Sequence, residues 1–113
     1  MTQMIAQPWE AKRTDQTRQV EEALKKDGFA ESDAYRYNSA SIRVRVIDSR
    51  FEGLSIAERD AMVEPAIEML PEATQADIIS LFTFAPSELS QPKSRSRPFL
   101  LNLEFEDPSP SML

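Results

Sequence analysis

Across 113 residues the chain carries 13 Lys and Arg against 19 Asp and Glu, a formal net charge of −6, and it contains neither Cys nor His. That length holds one domain with tails, because a second independent core needs roughly 50 residues of its own. The missing thiols and imidazoles exclude disulfides, thiolate nucleophiles and Zn–thiolate or Fe–S ligation by this chain, and the acidity argues against non-specific binding to nucleic acid or anionic membrane.

Residues 1–14 include Pro8 and Trp9 but show no sustained period, and they read as an N-terminal arm. Trp9 is the side chain that would anchor it, to the core or to a neighbouring chain. The start, MTQMIAQPWE, lacks the basic and apolar regions of a signal peptide, and no apolar run approaches ~18 residues. The expectation is a soluble cytoplasmic protein with no membrane partner.

From residue 15 to 27 a helix is predicted, with Val20, Ala23 and Leu24 on one face and Lys25 and Lys26 at the negative end of its dipole. Thr14 or Asp15 would cap it, Gly28 would take the left-handed position after it, and Phe29 would fold back as the apolar contact. A short strand follows at 34–37, with Tyr35 and Tyr37 on one face and Arg36 on the other. After a turn at Asn38-Ser39-Ala40, the clearest strand spans 41–48, with Ile42, Val44 and Val46 inward and Arg43 and Arg45 outward. The two strands imply a hairpin.

A sharp turn at Phe51-Glu52-Gly53 leads to Ser55 and Glu58, a capping box for a helix striped with Ile56, Val63, Ile67 and Leu70. Pro65 lies inside it and costs ~3 kcal/mol in a regular helix, so a kink near 61–63 or two short helices is expected. One more turn is expected at 73–76. Residues 78–84, IISLFTF, have the nearly continuous apolar run of a central strand covered on both faces. Residues 85–89 read as a turn entering a short helix, and 90–98 as a polar linker. Phe99, Leu101, Leu103 and Phe105 then alternate with Leu100, Asn102 and Glu104, which predicts a C-terminal strand within 99–113. Such a strand would add to a sheet edge in its own chain or a second one, giving a homo-oligomer.

Residues 17–89 resemble the BolA family. TRQVEEALKKDGF is similar to its first helix, YRYN to the approach to its hairpin, and IRVRVIDSRFEG to its second strand and Phe-x-Gly turn. ERDAMV resembles its Arg-His-x-x-Val helix motif, and LFTFAPSEL its last strand and ending. The resemblance implies an α+β, KH-like fold: a small three-stranded sheet with helices packed on it, in the order α-β-β-α-β, over residues 15–89. It also implies a monothiol glutaredoxin partner that shares a [2Fe–2S] cluster through a histidine. Here Asp60 stands at the motif histidine and Asp77 near the family's second one. An aspartate is a hard oxygen ligand poorly suited to that cluster, so no cofactor is expected, while a glutaredoxin-like protein partner is retained.

Asp60, Glu64 and Glu68 recur at i, i+4, i+8, with Asp77 as an addition. They form either a site for a hard cation or basic partner, or a solvated acidic helix face. Arg36, Arg43, Arg45 and Arg50 lie on or beside the hairpin. If Arg36 shares the face of Arg43 and Arg45, they make an anion-binding patch that Lys93, Arg95 and Arg97 would extend. A KH-type Gly-x-x-Gly clamp is absent, because Gly28 and Gly53 are the only glycines. Tyr35 and Tyr37 either stack on a ring or pack in the hairpin. Serine has no histidine base here.

The function expected is a non-enzymatic protein-interaction module using Arg59, Asp60, Asp77, Phe99, Leu101, Leu103 and Phe105. The alternative is a nucleic-acid-binding regulator using Arg36, Arg43, Arg45 and Arg50. Metal-dependent hydrolysis at the acidic row is a third reading.

Overall fold

Thr14 and Thr17 exchange side-chain and backbone hydrogen bonds at 2.9 and 3.1 Å, and this box starts α1 (Asp15–Lys26). The structure, a computed structural model, describes residues 7–90 and 96–111. Helix α1 ends in a Schellman turn: Gly28 stands at φ +96, its N–H donates to the Lys25 carbonyl, and the Phe29 N–H donates to the Leu24 carbonyl. Phe29 is thereby folded into the core. Strands β1 (Glu31–Asn38) and β2 (Ser41–Ile47) form the expected hairpin. A 3-10 turn at Ser49–Phe51 and Gly53, at φ +74, redirect the chain into α2 (Ile56–Ile67), which the Ser55 and Glu58 box caps. After α3 (Glu72–Asp77) come β3 (Ile78–Phe84), α4 (Pro86–Leu89) and α5 (Arg97–Glu106).

The sheet order is β1-β2-β3, antiparallel between β1 and β2 and parallel between β2 and β3. The α2–α3 segment is therefore the crossover that a parallel pair requires. Ile42, Val44 and Val46 are buried against Val20, Leu24, Phe51 and Val63, which forms the larger core between the sheet and α1–α2. On the opposite face Trp9, Tyr35 and Phe105 make a second buried cluster, with Tyr37 and Phe82 packed against it.

Several expectations change. The C-terminal segment is α5, not a strand, so the strand that would have added to a sheet edge and joined two chains is absent. An apolar run such as FLLNLEF satisfies both periods. Here Pro98 is pre-set for the first helical turn. A helix also lets Asn102 and Glu106, four residues apart, meet the same arginine, Arg45. Strand β3 is an edge strand, with β2 in the centre. Ile79 stands at the irregularity in the β2–β3 register, without a paired residue on β2, and is 66% exposed.

Helix α2 passes through Pro65 unbroken, so the expected split into two short helices does not occur. Pro65 lies near the helix end, and buried Val63 and Ala66 on either side hold the helix to the core. Of the two roles open to the N-terminal arm, Trp9 takes the anchoring one: Pro8–Lys12 is a 3-10 turn and Trp9 is buried. Residues 1–6 of that arm, and Lys93 and Arg95 of the linker, lie outside the described residues.

Candidate functional site

The arginines fold away from one another. The β1–β2 register pairs Arg36 with Ile42 and Tyr35 with Arg43, so Arg36 lies on the helix-covered face and Arg43 on the other. Arg36 donates to Asp77 at 2.8 Å, to the Gln16 side chain and to the Asn38 and Ser39 carbonyls. Arg43 and Arg45, expected outward, lie beneath α5. Arg43 donates to Glu104 at 2.8 Å and stacks 3.7 Å from the Tyr37 ring centre. Arg45 donates to Asp33 at 2.7 Å, to Asn102 at 2.8 Å and to Glu106 at 2.9 Å, over the Phe105 ring. Arg50 stands elsewhere, paired with Asp48 and stacked on Phe29. The anion-binding patch expected of these four side chains is therefore not assembled. What Tyr35 and Tyr37 stack on is their own neighbours, Trp9, Phe105 and Arg43.

Burial alone would raise the Glu104 carboxyl. The Ser109 hydroxyl, the Arg43 guanidinium and the Ser109 N–H outweigh it and bring the group down to about 2. This carboxylate stays charged wherever the protein is folded in ordinary buffers, which locks α5 to the arginine face.

The expected partner-binding residues scatter likewise. Arg59 is buried, donating to the Leu54 carbonyl at 3.1 Å, the Thr83 carbonyl at 3.1 Å and Glu88 at 2.7 Å. Asp77 is held by Arg36, and Phe105 is in the second core. Phe99 and Leu101 are half-buried, and Leu103 is exposed. Asp60 is half-buried, its Oδ1 has no hydrogen-bond partner, and burial pushes its carboxyl upward. Glu64 and Glu68 point to solvent. Among the described residues no group of three acidic side chains is placed to hold a metal ion, and no helix is long and apolar enough to cross a membrane.

A groove of about 620 Å³ runs along β3. Its floor is β3, and Ile56, Arg59 and Glu88 lie on one side with Arg97, Pro98 and Leu101 on the other. Alternate residues of a parallel strand turn both backbone groups toward the neighbouring strand. The Phe84 carbonyl accepts from the Asp48 N–H on the β2 side, so Leu81 and Thr83 turn theirs outward. The Thr83 carbonyl accordingly takes the Arg59 bond, and the Leu81 N–H and carbonyl and the Thr83 N–H face the groove rather than β2. Sequence reasoning passed over Ile56, Ile79 and the edge. The available signal was the absence of any charge or proline from residue 78 to 84, the guards an exposed edge usually carries.

Comparison with known proteins matches the chain to no protein family, no curated relative and no solved structure.

Proposed function

We propose that this chain is a non-enzymatic, BolA-like protein-interaction module that presents the open side of β3. One observation carries the reading: the outward N–H and carbonyl of Leu81 and the outward N–H of Thr83 face an apolar groove whose rim includes Ile56, 58% exposed, and Ile79. An unguarded strand edge is a template for pairing with another chain, and the apolar walls supply the burial that makes such pairing stable. The element order α-β-β-α-β and the small three-stranded sheet are what the family resemblance implies, and they support the BolA-like part of the reading. A glutaredoxin-like partner rests on that resemblance alone.

The nucleic-acid alternative falls behind because Arg36, Arg43, Arg45 and Arg50 each hold a carboxylate of their own chain. Tagged wild-type and Ile79→Lys chains, used as bait in native lysate with and without nuclease, test the proposal. A protein captured by wild type, insensitive to nuclease and lost with Ile79→Lys supports it. Capture that vanishes with nuclease, or that Ile79→Lys leaves intact, overturns it.

A further inference from the structure

Resting on that interaction reading, we infer that the β3 edge takes the C-terminal end of a partner chain, laid parallel to β3 and closed by an apolar residue with a free carboxylate. Only one edge of the sheet is open to such an addition. Along β1 stand Glu31, Asp33 and Arg36, and the Ala34 N–H is taken by the buried Glu21 carboxylate at 2.9 Å. Along β3 no residue is charged.

The open stretch of β3 is short, and its limits select the occupant. At one end Ile79 stands at the register irregularity, and at the other Arg59 holds the Thr83 carbonyl at 3.1 Å. Between them the Leu81 N–H, the Leu81 carbonyl and the Thr83 N–H face the groove. The slanted bonds of a parallel pair join each outward residue to two residues of the added strand, two places apart. A last residue set beside Phe82 therefore donates its N–H to the Leu81 carbonyl and accepts, through its carboxylate, from the Thr83 N–H. The carbonyl two residues earlier accepts from the Leu81 N–H. All three groups are used. A strand that ran on would bring a further N–H to the Thr83 carbonyl, which Arg59 already holds. A chain that ends has no such N–H.

Charge favours the same occupant. Arg59 and Glu88 cancel across 2.7 Å, and the Glu88 carboxylate also accepts from the Ala85 N–H. Arg97, exposed where α5 begins, is the charge left over in the lining, and the positive end of the helix dipole lies with it. Thr83 adds a buried hydroxyl with no partner among the described residues. Donors thus outnumber acceptors, as an anion requires. Phe82, Pro98 and Leu101 in the same lining give the terminal side chain an apolar wall.

The test applies full-length protein to an array of random hexapeptides, displayed once with free C-terminal carboxylates and once amidated. Wild type is expected to bind members that end in an apolar residue. Amidation should weaken that binding by about tenfold, the worth of one charge-assisted contact. Arg97→Glu, a change at an exposed side chain, is expected to cost about tenfold as well while keeping the circular dichroism spectrum. Equal binding to the two displays overturns the inference, as does binding that Arg97→Glu leaves intact, or no binding at all. If Ile79→Lys still abolishes nuclease-resistant protein capture in any of those cases, only the C-terminal occupant fails and the interaction module stands. If capture also survives Ile79→Lys, both readings fail.

Discussion

Arg59 joins three segments through one guanidinium, holding the Leu54 carbonyl before α2, the Thr83 carbonyl on β3 and the Glu88 carboxylate on α4. Arg59→Ala leaves all three acceptors without their donor in a buried place. It is expected to destabilise the fold by about 2–4 kcal/mol, read from urea unfolding. A loss below about 0.5 kcal/mol would mean that water replaces the guanidinium freely. Glu104 carries a pH signature. Its folded carboxyl titrates near 2 against an ordinary 4.5, so the stability it lends is present above the ordinary value and is lost as pH falls from there toward 2. Glu104→Gln should therefore lower stability at neutral pH and flatten the acid limb of the stability curve in that window. Asp60 has the opposite sign. Burial raises its carboxyl and one oxygen lacks a partner, so Asp60→Asn is expected to stabilise at neutral pH, with the gain fading as pH falls through the raised folded value and gone once pH is below the ordinary aspartate range. Chemical denaturation at several pH values checks both.

Helix α5 is a cover held by two kinds of force. Phe105 inserts between Trp9, Tyr35 and Phe82 at ring separations of 5.5, 4.8 and 5.6 Å. Around it Glu104, Glu106 and Asn102 satisfy Arg43 and Arg45. Those arginines have little water of their own, so without α5 they would be left over a bare aromatic surface. Phe105→Ala should cost about 3–5 kcal/mol, a large share of what a small domain has. Thermal unfolding should register it as a drop well beyond 10 °C, at about 4–8 °C per kcal/mol. A drop of only a few degrees would show that the sheet does not need this cover. Helix α1 depends on a smaller device at its end. Gly28→Ala meets ordinary space, with Arg50 Nη2 3.8 Å from the added carbon, but it forces an L residue to φ +96. The expected loss is about 1 kcal/mol.

At the scale of the whole molecule, the arginines on and beside the sheet are neutralised within the chain. The net −6 remains, while the hairpin arginines that would have drawn phosphates are engaged with Asp33, Asp77, Glu104 and Glu106. Native protein is therefore expected to show no retention of duplex DNA at about 0.15 M salt, measured by mobility shift. Binding that weakens steeply with added salt would mean that α5 opens to free the arginine face. The contrast between a guarded β1 and an open β3 is also a property of the whole sheet, visible only when both edges are compared.

What the sequence determined by itself was local. The Ser55 and Glu58 box, the Gly28 stop, the inward Ile42, Val44 and Val46 and the extent of β3 follow from interactions spanning a few residues, whose chemistry is written in neighbouring letters. The α+β class and the three-stranded sheet follow from the order of those elements. Tertiary structure decided whatever depends on partners distant in sequence. IISLFTF has the composition of a buried central strand, yet strand order puts it at an edge. FLLNLEF fits strand and helix periods alike, and the need of Arg43 and Arg45 for acceptors, together with the space beside Trp9 and Tyr35, selected the helix. The arginine patch failed for the same reason. Hairpin register put Arg36 on the opposite face, and carboxylates about 60 residues away in the chain reached Arg43 and Arg45. The candidate site was illegible because an open edge is the absence of a neighbour, and only the assembled sheet has neighbours to count.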